Sequence, residues 1–387
     1  MNFPRYGVMV ASVNNRLYAI GGLNNQNQAV NIVEEYIPEL DSWVLKAPMP
    51  TPCAYGVCVP AYNKIYIVGG VIRQNMPIES CMVFDPLINQ WYRKRKMPSK
   101  RSGINGAIVD DTIYICGGYF SAQQVYTDTV ECYNISRDSW FVRSSMNTSR
   151  VEFGAATLNG KLYTIGGLFY SNYLNINEEY NPATNNWIIK SPIPLARSGL
   201  VCIGYQDRIY AIGGQRYAPH RTFYSRVDIF NPQDSIWLIG ETLNIARAYA
   251  GAAVIGNRIY VVGGLTRGNT ITASMEEFVC SGIEESNLNL VNFDILSAHP
   301  NPFTNKTMLT LMPVVNGINS IDIFDNTGKL IKSIPIIKTA QQTNTKYLWD
   351  GTDNHHRPVK SGVYFVQLNS VKNYHQRSVY KLIFIKQ

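Results

Sequence analysis

Six Gly-Gly pairs recur along the 387 residues, at 21–22, 69–70, 117–118, 166–167, 213–214 and 263–264, with a spacing of 47 to 50 residues. Each pair closes an apolar run that carries a tyrosine three residues before its first glycine: Tyr18, Tyr66, Tyr114, Tyr163, Tyr210 and Tyr260. Twenty to twenty-three residues beyond the second glycine, five repeats place a tryptophan: Trp43, Trp91, Trp140, Trp187 and Trp237. A period of this length marks an array of like units. One such unit cannot bury its own apolar face, so neighbours stack to share a core.

Each unit reads as four strands. The first is rich in small residues (YGVMVASV, GINGAIV, FGAATL, AGAAVI), the second ends at Gly-Gly, the third carries a Glu/Tyr pattern (VEEYIPEL, VECYNIS) and the fourth carries the tryptophan. Small side chains suit a crowded position near a central axis, and bulky tyrosine and tryptophan fill the widening wedge between blades. The Gly pair suits a place of unusual backbone conformation or close approach between blades. Composition agrees with an all-β, turn-rich chain: 45% hydrophobic residues, 16% charged, 25 Tyr, 29 Gly and 19 Pro. No run of eighteen apolar residues is present, so no transmembrane helix is expected, and MNFPRYG lacks the charged-then-apolar pattern of a signal peptide.

The Gly pair with its spaced Tyr and Trp resembles the kelch repeat. The resemblance covers residues 3–280 and implies a six-bladed kelch β-propeller over 1–284. The sixth repeat departs from the pattern. It supplies MEEF but no tryptophan, and the expected position falls on Glu284 to Asn287. The opening MNFPRYG matches the junctions between other repeats, MPTPCAYG and MPSKRSG. The expectation is that the natural polypeptide extends upstream with a signal peptide and the missing Trp strand. The alternative is that SNLNLVNF, within or beside a 285–292 linker, substitutes as the edge strand.

From Phe293 a different β pattern runs to the end: FDILSAHPNPF, SIDIFDNTGKLIKSI, KYLWDGTDNHHRPVKSGVYFVQL and YKLIFIK. Alternation and the DNTG turn predict a small Ig-like sandwich of about seven strands over 293–387. Pro300, Asn301, Pro302, Phe303, the IDIFDNTGK hairpin, Trp349-Asp350-Gly351, Asp353 and Ser361-Gly362-Val363-Tyr364-Phe365 resemble the type IX secretion sorting domain. That resemblance implies a secreted or surface-displayed protein that meets the secretion machinery through its tail. His355-His356 stand where the family usually has a glycine, and no third ligand at metal spacing accompanies them.

The net charge of +8 divides unevenly. Residues 1–291 hold 24 basic and 22 acidic residues, giving +2, and 292–387 hold 11 and 5, giving +6. A nucleic-acid footprint concentrates charge on the recognition face, so the near-neutral large domain argues against DNA or RNA as partner. The seven cysteines (Cys53, Cys58, Cys81, Cys116, Cys132, Cys202, Cys280) are odd in number and form no CxxC, which predicts buried thiols.

Binding chemistry is expected on the face that carries the loops into strand one and between strands two and three. The first loops supply Arg5, Arg101, Arg150, Arg197 and Arg247, with Pro52-Cys53-Ala54 in the second blade instead. Tyr6, Tyr55, Phe153 and Tyr249 adjoin them. Arginine forks bind carboxylates and aromatics stack on sugars or peptide side chains, so an acidic peptide, protein or glycan is the expected ligand. The competing expectation is that the arginines tie neighbouring loops together. The loops after Gly-Gly vary most, and Arg216, Tyr217, His220 and Arg221 form their densest polar-aromatic cluster.

Enzyme readings have less support. Kelch-like copper-radical oxidases need two histidines, and His220 is the only one in 1–291. No cofactor or metal is expected. Sialic-acid mutarotases of similar architecture need carboxylate, Arg or His groups around the channel, which keeps an isomerase on an acidic sugar as the alternative. The pairs Glu34-Glu35, Glu178-Glu179 and Glu276-Glu277 recur at one repeat position, and strand alternation sends their members to opposite faces, so they read as scaffold. Glu152 alone is unique to its loop. An intracellular ubiquitin-ligase adaptor would need a partner domain not found in this sequence.

Overall fold

Each repeat folds into one antiparallel sheet whose strands follow chain order. In the first, Met9–Val13, Arg16–Ile20, Val33–Ile37 and Ser42–Leu45 lie side by side, and the next four repeats repeat this arrangement. The sixth pairs Gly251–Ile255, Arg258–Val262 and Met275–Val279. The computed structural model describes residues 1–279 except 74–75 and 218–219, and 295–385 except 312–317, 326, 328, 336–344 and 371–378. The Trp-equivalent position 284–287, SNLNLVNF, the 285–292 linker and Cys280 therefore lie outside the described residues. The chain divides into two compact units, Met1–Gly282 and Ile283–Gln387.

The innermost strands touch their neighbours all the way round, and Gly251–Ile255 packs on Met9–Val13 to close the circle. The core of this propeller is not central but lies in the wedges between blades. Met9, Ile20, Ile67 and Phe84 fill the first wedge, and Val10, Ala19, Ala253 and Val262 fill the last. In five blades the Trp packs on the third-strand aromatic at 4.9 to 5.2 Å, as in Tyr36–Trp43 and Phe230–Trp237. Four of the indoles also donate a hydrogen bond to a backbone carbonyl of the preceding blade, Trp187 to Ser144 at 2.8 Å among them.

The Gly pairs clasp one blade to the next. The second glycine's N–H donates to the carbonyl of the residue that begins the following blade: Gly22 to Cys53, Gly118 to Arg150, Gly167 to Arg197, Gly214 to Arg247, and Gly264 back to Arg5. The first glycine lies so close to the same carbonyl that an added Cβ would sit 2.1 to 2.7 Å from its oxygen at Gly21, Gly117, Gly166, Gly213 and Gly263. Both glycines of the pair also hold positive φ, as in Gly166 (67°) and Gly167 (105°). The two reasons expected for the pair, conformation and close approach, operate together.

The five arginines are inside this clasp. Arg5, Arg101, Arg150, Arg197 and Arg247 are 0 to 1% exposed. Arg5, Arg150 and Arg247 donate through Nη1 to the carbonyls of Gly21, Gly166 and Gly263, and Arg197 donates through Nε to Gly213. Each is paired with a third-strand carboxylate: Glu34, Glu131, Glu178, Asp228 or Glu276. Burial pulls the guanidinium pKa values below their usual range, and the carboxylate opposes that pull. In the second blade Cys53 replaces the arginine, and its thiol points to the equivalent carbonyl of Gly69 at 3.2 Å. The expectation of an arginine ring facing a ligand is thus corrected. These side chains are buried and hold their own blades together.

The Glu pairs behave as scaffold. The first member meets the arginine, and the second meets second-strand tyrosines or lysines, as Glu179 does with Tyr163 and Lys161. The described cysteines are free and, except for half-buried Cys58, buried; burial pushes the Cys53, Cys116 and Cys202 thiols up to about 12. The Arg93–Lys96 run lies on and just beyond the outer strand of the second blade, Gln90–Arg93, where edge charge discourages strand addition. Beyond Gly-Gly, five blades raise a short extra hairpin on the loop face, among them Tyr119–Phe120 with Val125–Tyr126 and Gln215–Tyr217 with Arg221–Phe223.

Among its described residues the C-terminal unit has seven strands in two sheets. Ile295–His299, Thr307–Leu311 and Thr345–Trp349 form one, and Leu330–Pro335, Ile318–Asp325, Gly362–Ser370 and Val379–Phe384 form the other in that order. Both contribute to one buried cluster of Leu309, Trp349, Ile321, Val366 and Phe384. The strands flanking DNTG pair as a hairpin, with Asp325 Oδ1 accepting from the Thr327 and Lys329 amides; Asn326 and Gly328 lie outside the described residues. His355 and His356 are exposed in a loop whose amides bond to Asp353.

Two substitutions test the clasp. Gly166→Ala should destabilise the chain by more than about 2 kcal/mol, because an αL alanine costs ~1–2 kcal/mol by itself and its Cβ also collides with the Arg197 carbonyl. Gly160→Ala, also at positive φ but with nothing within 4 Å of its Cβ, should cost only the conformational share. Equal midpoint shifts in urea unfolding would refute the close-approach role. Arg150→Ala strands the buried Glu178 carboxylate and should cost about 3–5 kcal/mol by the same measurement.

Candidate functional site

Two residues after each arginine position, the chain turns into strand one through a left-handed residue. The six are Gly7, Tyr55, Gly103, Glu152, Gly199 and Tyr249, with φ between 55° and 67°. They form a belt around the channel mouth in which backbone hydrogen bonds pass from blade to blade. Tyr55 N–H donates to Gly7, Glu152 to Gly103, Gly199 to Glu152, Tyr249 to Gly199, and Gly7 to Tyr249 across the closure, all at 2.7 to 3.1 Å. Glycine thus alternates with a large residue around the ring. The reason is space: an added Cβ on Gly7 would lie 2.8 Å from the Tyr55 ring, and one on Gly199 2.9 Å from the Tyr249 ring. Only three large side chains fit at the mouth, so alternate blades supply them.

Tyr55 and Tyr249 meet edge to face at 5.6 Å, and Tyr6 packs on Tyr55 at 6.1 Å. Glu152 reaches the same place. Its Oε2 accepts from Tyr249 Oη at 2.7 Å and from Ser198 Oγ at 3.0 Å. A directed chain extends outward: Arg221 Nε donates to Gln215 Oε1, Gln215 Nε2 donates to Tyr249 Oη at 2.7 Å, and the tyrosine hydroxyl donates to Glu152. Arg221 also donates to Asn269 Oδ1 at 2.6 Å, so neutral groups hold its guanidinium. Burial pushes the Tyr55 and Tyr249 phenols well above the usual tyrosine range, which keeps both hydroxyls protonated. The mouth leads into a channel cavity of about 360 Å³ walled by the first strands, with Cys58, Ala155, Cys202 and Ala252 among its lining.

Several predicted site residues occupy other places. Tyr6 is 9% exposed, and its hydroxyl donates to Asn27 at 2.5 Å beside the mouth. Tyr249 stands in the belt. Arg216, Tyr217 and His220 are exposed on the fifth-blade hairpin and make no hydrogen bond to the belt among the described residues. Their neighbours Gln215 and Arg221 turn inward instead, joined to each other by a hydrogen bond. Gln215 and Ser198 were not anticipated. The alternation of glycine and bulk two residues after each arginine position was present in the sequence and marks the belt. A second feature arises between hairpins: Tyr126 packs on Tyr119, Phe169 and Tyr170 at 4.8 to 5.5 Å, and Tyr170 is 59% exposed. No group of three or more His, Cys, Asp or Glu suited to a metal occurs among the described residues.

Comparison with known proteins places this geometry. The KLHDC2/KLHL20/DRC7 Kelch-repeats domain matches residues 63–264, the Kelch motif matches 4–50, and the Secretion system C-terminal sorting domain matches 297–384. Kelch-like protein 28 of Homo sapiens is 30% identical over 165 residues, 41% of this chain and 20% of that protein. Kelch-like protein 36 of Bos taurus is 26% identical over 167 residues, 43% of this chain and 19% of that protein. The chain thus spans about a fifth of the length of these relatives. Among solved structures, the one titled Structure of YjhT has a TM-score of 0.63 at 14% identity, over 73% of this chain and 97% of that one, a likeness of fold alone. The tail marks the chain for secretion or the cell surface, and no helix among the described residues is long and apolar enough to cross a membrane. With a kelch description matched over more than half its length, the chain belongs to the kelch-repeat family.

Proposed function

We propose that this exported propeller is a binding protein that holds a protein, peptide or glycan ligand on its loop face. The observation that carries the reading is the aromatic platform of Tyr119, Tyr126, Phe169 and Tyr170, which the scaffold itself does not need. The repeat already pairs its arginines with its own carboxylates, whereas these rings come from hairpins of different length and sequence and leave Tyr170 exposed. Aromatic side chains on a rigid scaffold are the usual anchors of recognition, through stacking on sugars or packing on peptide side chains. The kelch relatives are consistent with binding by such a face. The tail supplies export.

A second reading, an isomerase on an acidic sugar, draws on Glu152 and Arg221 sharing one hydrogen-bond chain at the channel mouth. Proton transfer needs a carboxylate within reach of the substrate, and an acidic sugar needs a cation. Anomer-exchange NMR on N-acetylneuraminate would support it if the chain accelerated exchange and Glu152→Gln did not.

A glycan and peptide array probed with the full chain tests the binding reading. Captured ligands should lose about tenfold or more in affinity with Tyr126→Ala plus Tyr170→Ala, in line with the ≥ 2 kcal/mol typical of anchor residues. Capture that is unchanged by this pair would overturn the loop-face assignment.

A further inference from the structure

We infer that Glu152, framed by Tyr55 and Tyr249 at the mouth of the channel, seats a cationic group of the bound partner, either a primary ammonium or a guanidinium. The inference rests on the binding reading above and names the chemistry at its centre.

Charge accounting is the first support. The third-strand carboxylates of the clasp all have a cation: Glu34, Glu131, Glu178, Asp228 and Glu276 each pair with an arginine. Among the described residues Glu152 has only neutral donors, Tyr249 Oη and Ser198 Oγ, both on Oε2. No lysine or arginine lies within ion-pairing distance of it among the described residues. The nearest cation on its chain, Arg221, is separated from it by Gln215 and Tyr249. A half-buried carboxylate without a counter-ion attracts cations more strongly than one on the open surface, because less water screens it.

Geometry is the second support. Oε1 is left without a hydrogen bond among the described residues, at the mouth of an open cavity. Tyr249 Oη is already engaged as both donor and acceptor, whereas Tyr55 Oη makes no hydrogen bond among the described residues and stands ready to accept one. Both tyrosines line the same cavity as Glu152, and Tyr249 reaches it through its hydroxyl. An anionic group placed there would meet Glu152 directly. The third support is backbone conformation: Tyr55, Glu152 and Tyr249 occupy the left-handed region that three other blades give to glycine. Non-glycine residues held there concentrate at functional sites.

Binding of Nα-acetyl-lysine methylamide, Nα-acetyl-arginine methylamide and the neutral Nα-acetyl-norleucine methylamide to the full chain, followed by saturation-transfer NMR and titration, tests the inference. At least one cationic probe should bind ten or more times more tightly than the norleucine probe, and Glu152→Gln should remove that preference. Equal binding of the three probes, absence of any cationic binding, or an unchanged preference in Glu152→Gln would overturn it. Should Glu152→Gln fail to fold, Tyr55→Ala takes its place, with at least a fivefold loss for the cationic probe expected and no loss counting against the inference. Array ligands that depend on Tyr126 and Tyr170 while the cationic probes do not bind would leave the binding reading standing and reject this inference alone.

Discussion

In five of the six blades the second glycine of the pair donates its amide to the first residue of the next blade, and the rest of the propeller depends on that link. It fixes the distance between blades at the loop face, and the first glycine beside it leaves no room for a Cβ. The buried arginine then anchors the same junction from within, bonding the carbonyl of its own blade's Gly pair and a third-strand carboxylate. A buried ion pair contributes little net stability over an apolar substitute, because desolvation offsets most of the attraction. Its value here is directional: the guanidinium fork fixes several carbonyls at once. Gly264 bonding back to Arg5 carries the same link across the closure, so the first and last blades are held as any other pair.

The belt of left-handed residues follows from this spacing. With six blades held at a common radius the mouth is crowded: glycine at Gly7 and Gly199 makes room for the Tyr55 and Tyr249 rings, and Gly103 for Val151 beside Glu152. The six-fold repeat thereby becomes three-fold at its centre. That reduction sets apart the Glu152 carboxylate at the mouth and joins it through Tyr249 and Gln215 in a hydrogen-bond chain to Arg221. The site is a by-product of crowding turned to chemical use.

Much of the fold was legible because a repeat writes its period into the sequence. The Gly pairs, the Tyr before them and the Trp after them each report a local requirement: positive φ, a filled wedge, a carbonyl to meet. The arginines show the limit of that legibility. A polar residue conserved from repeat to repeat in a loop reads equally as ligand contact or as tie, and only burial at 0 to 1% with a partner for each guanidinium separates the two. Cys53 shows the same from the other side, since a thiol directed at the Gly69 carbonyl would not be guessed to stand in for an arginine.

The sequence by itself determined the number of blades, the strands within them, the positions that must be glycine and the presence of an exported tail, because each of these rests on neighbours within one repeat. The tertiary structure decided which polar groups are buried and which line the channel mouth, because that depends on residues brought together from separate blades. Glu152 and Tyr249 are 97 positions apart and belong to the fourth and sixth blades, and they bond at 2.7 Å only because the ring closes.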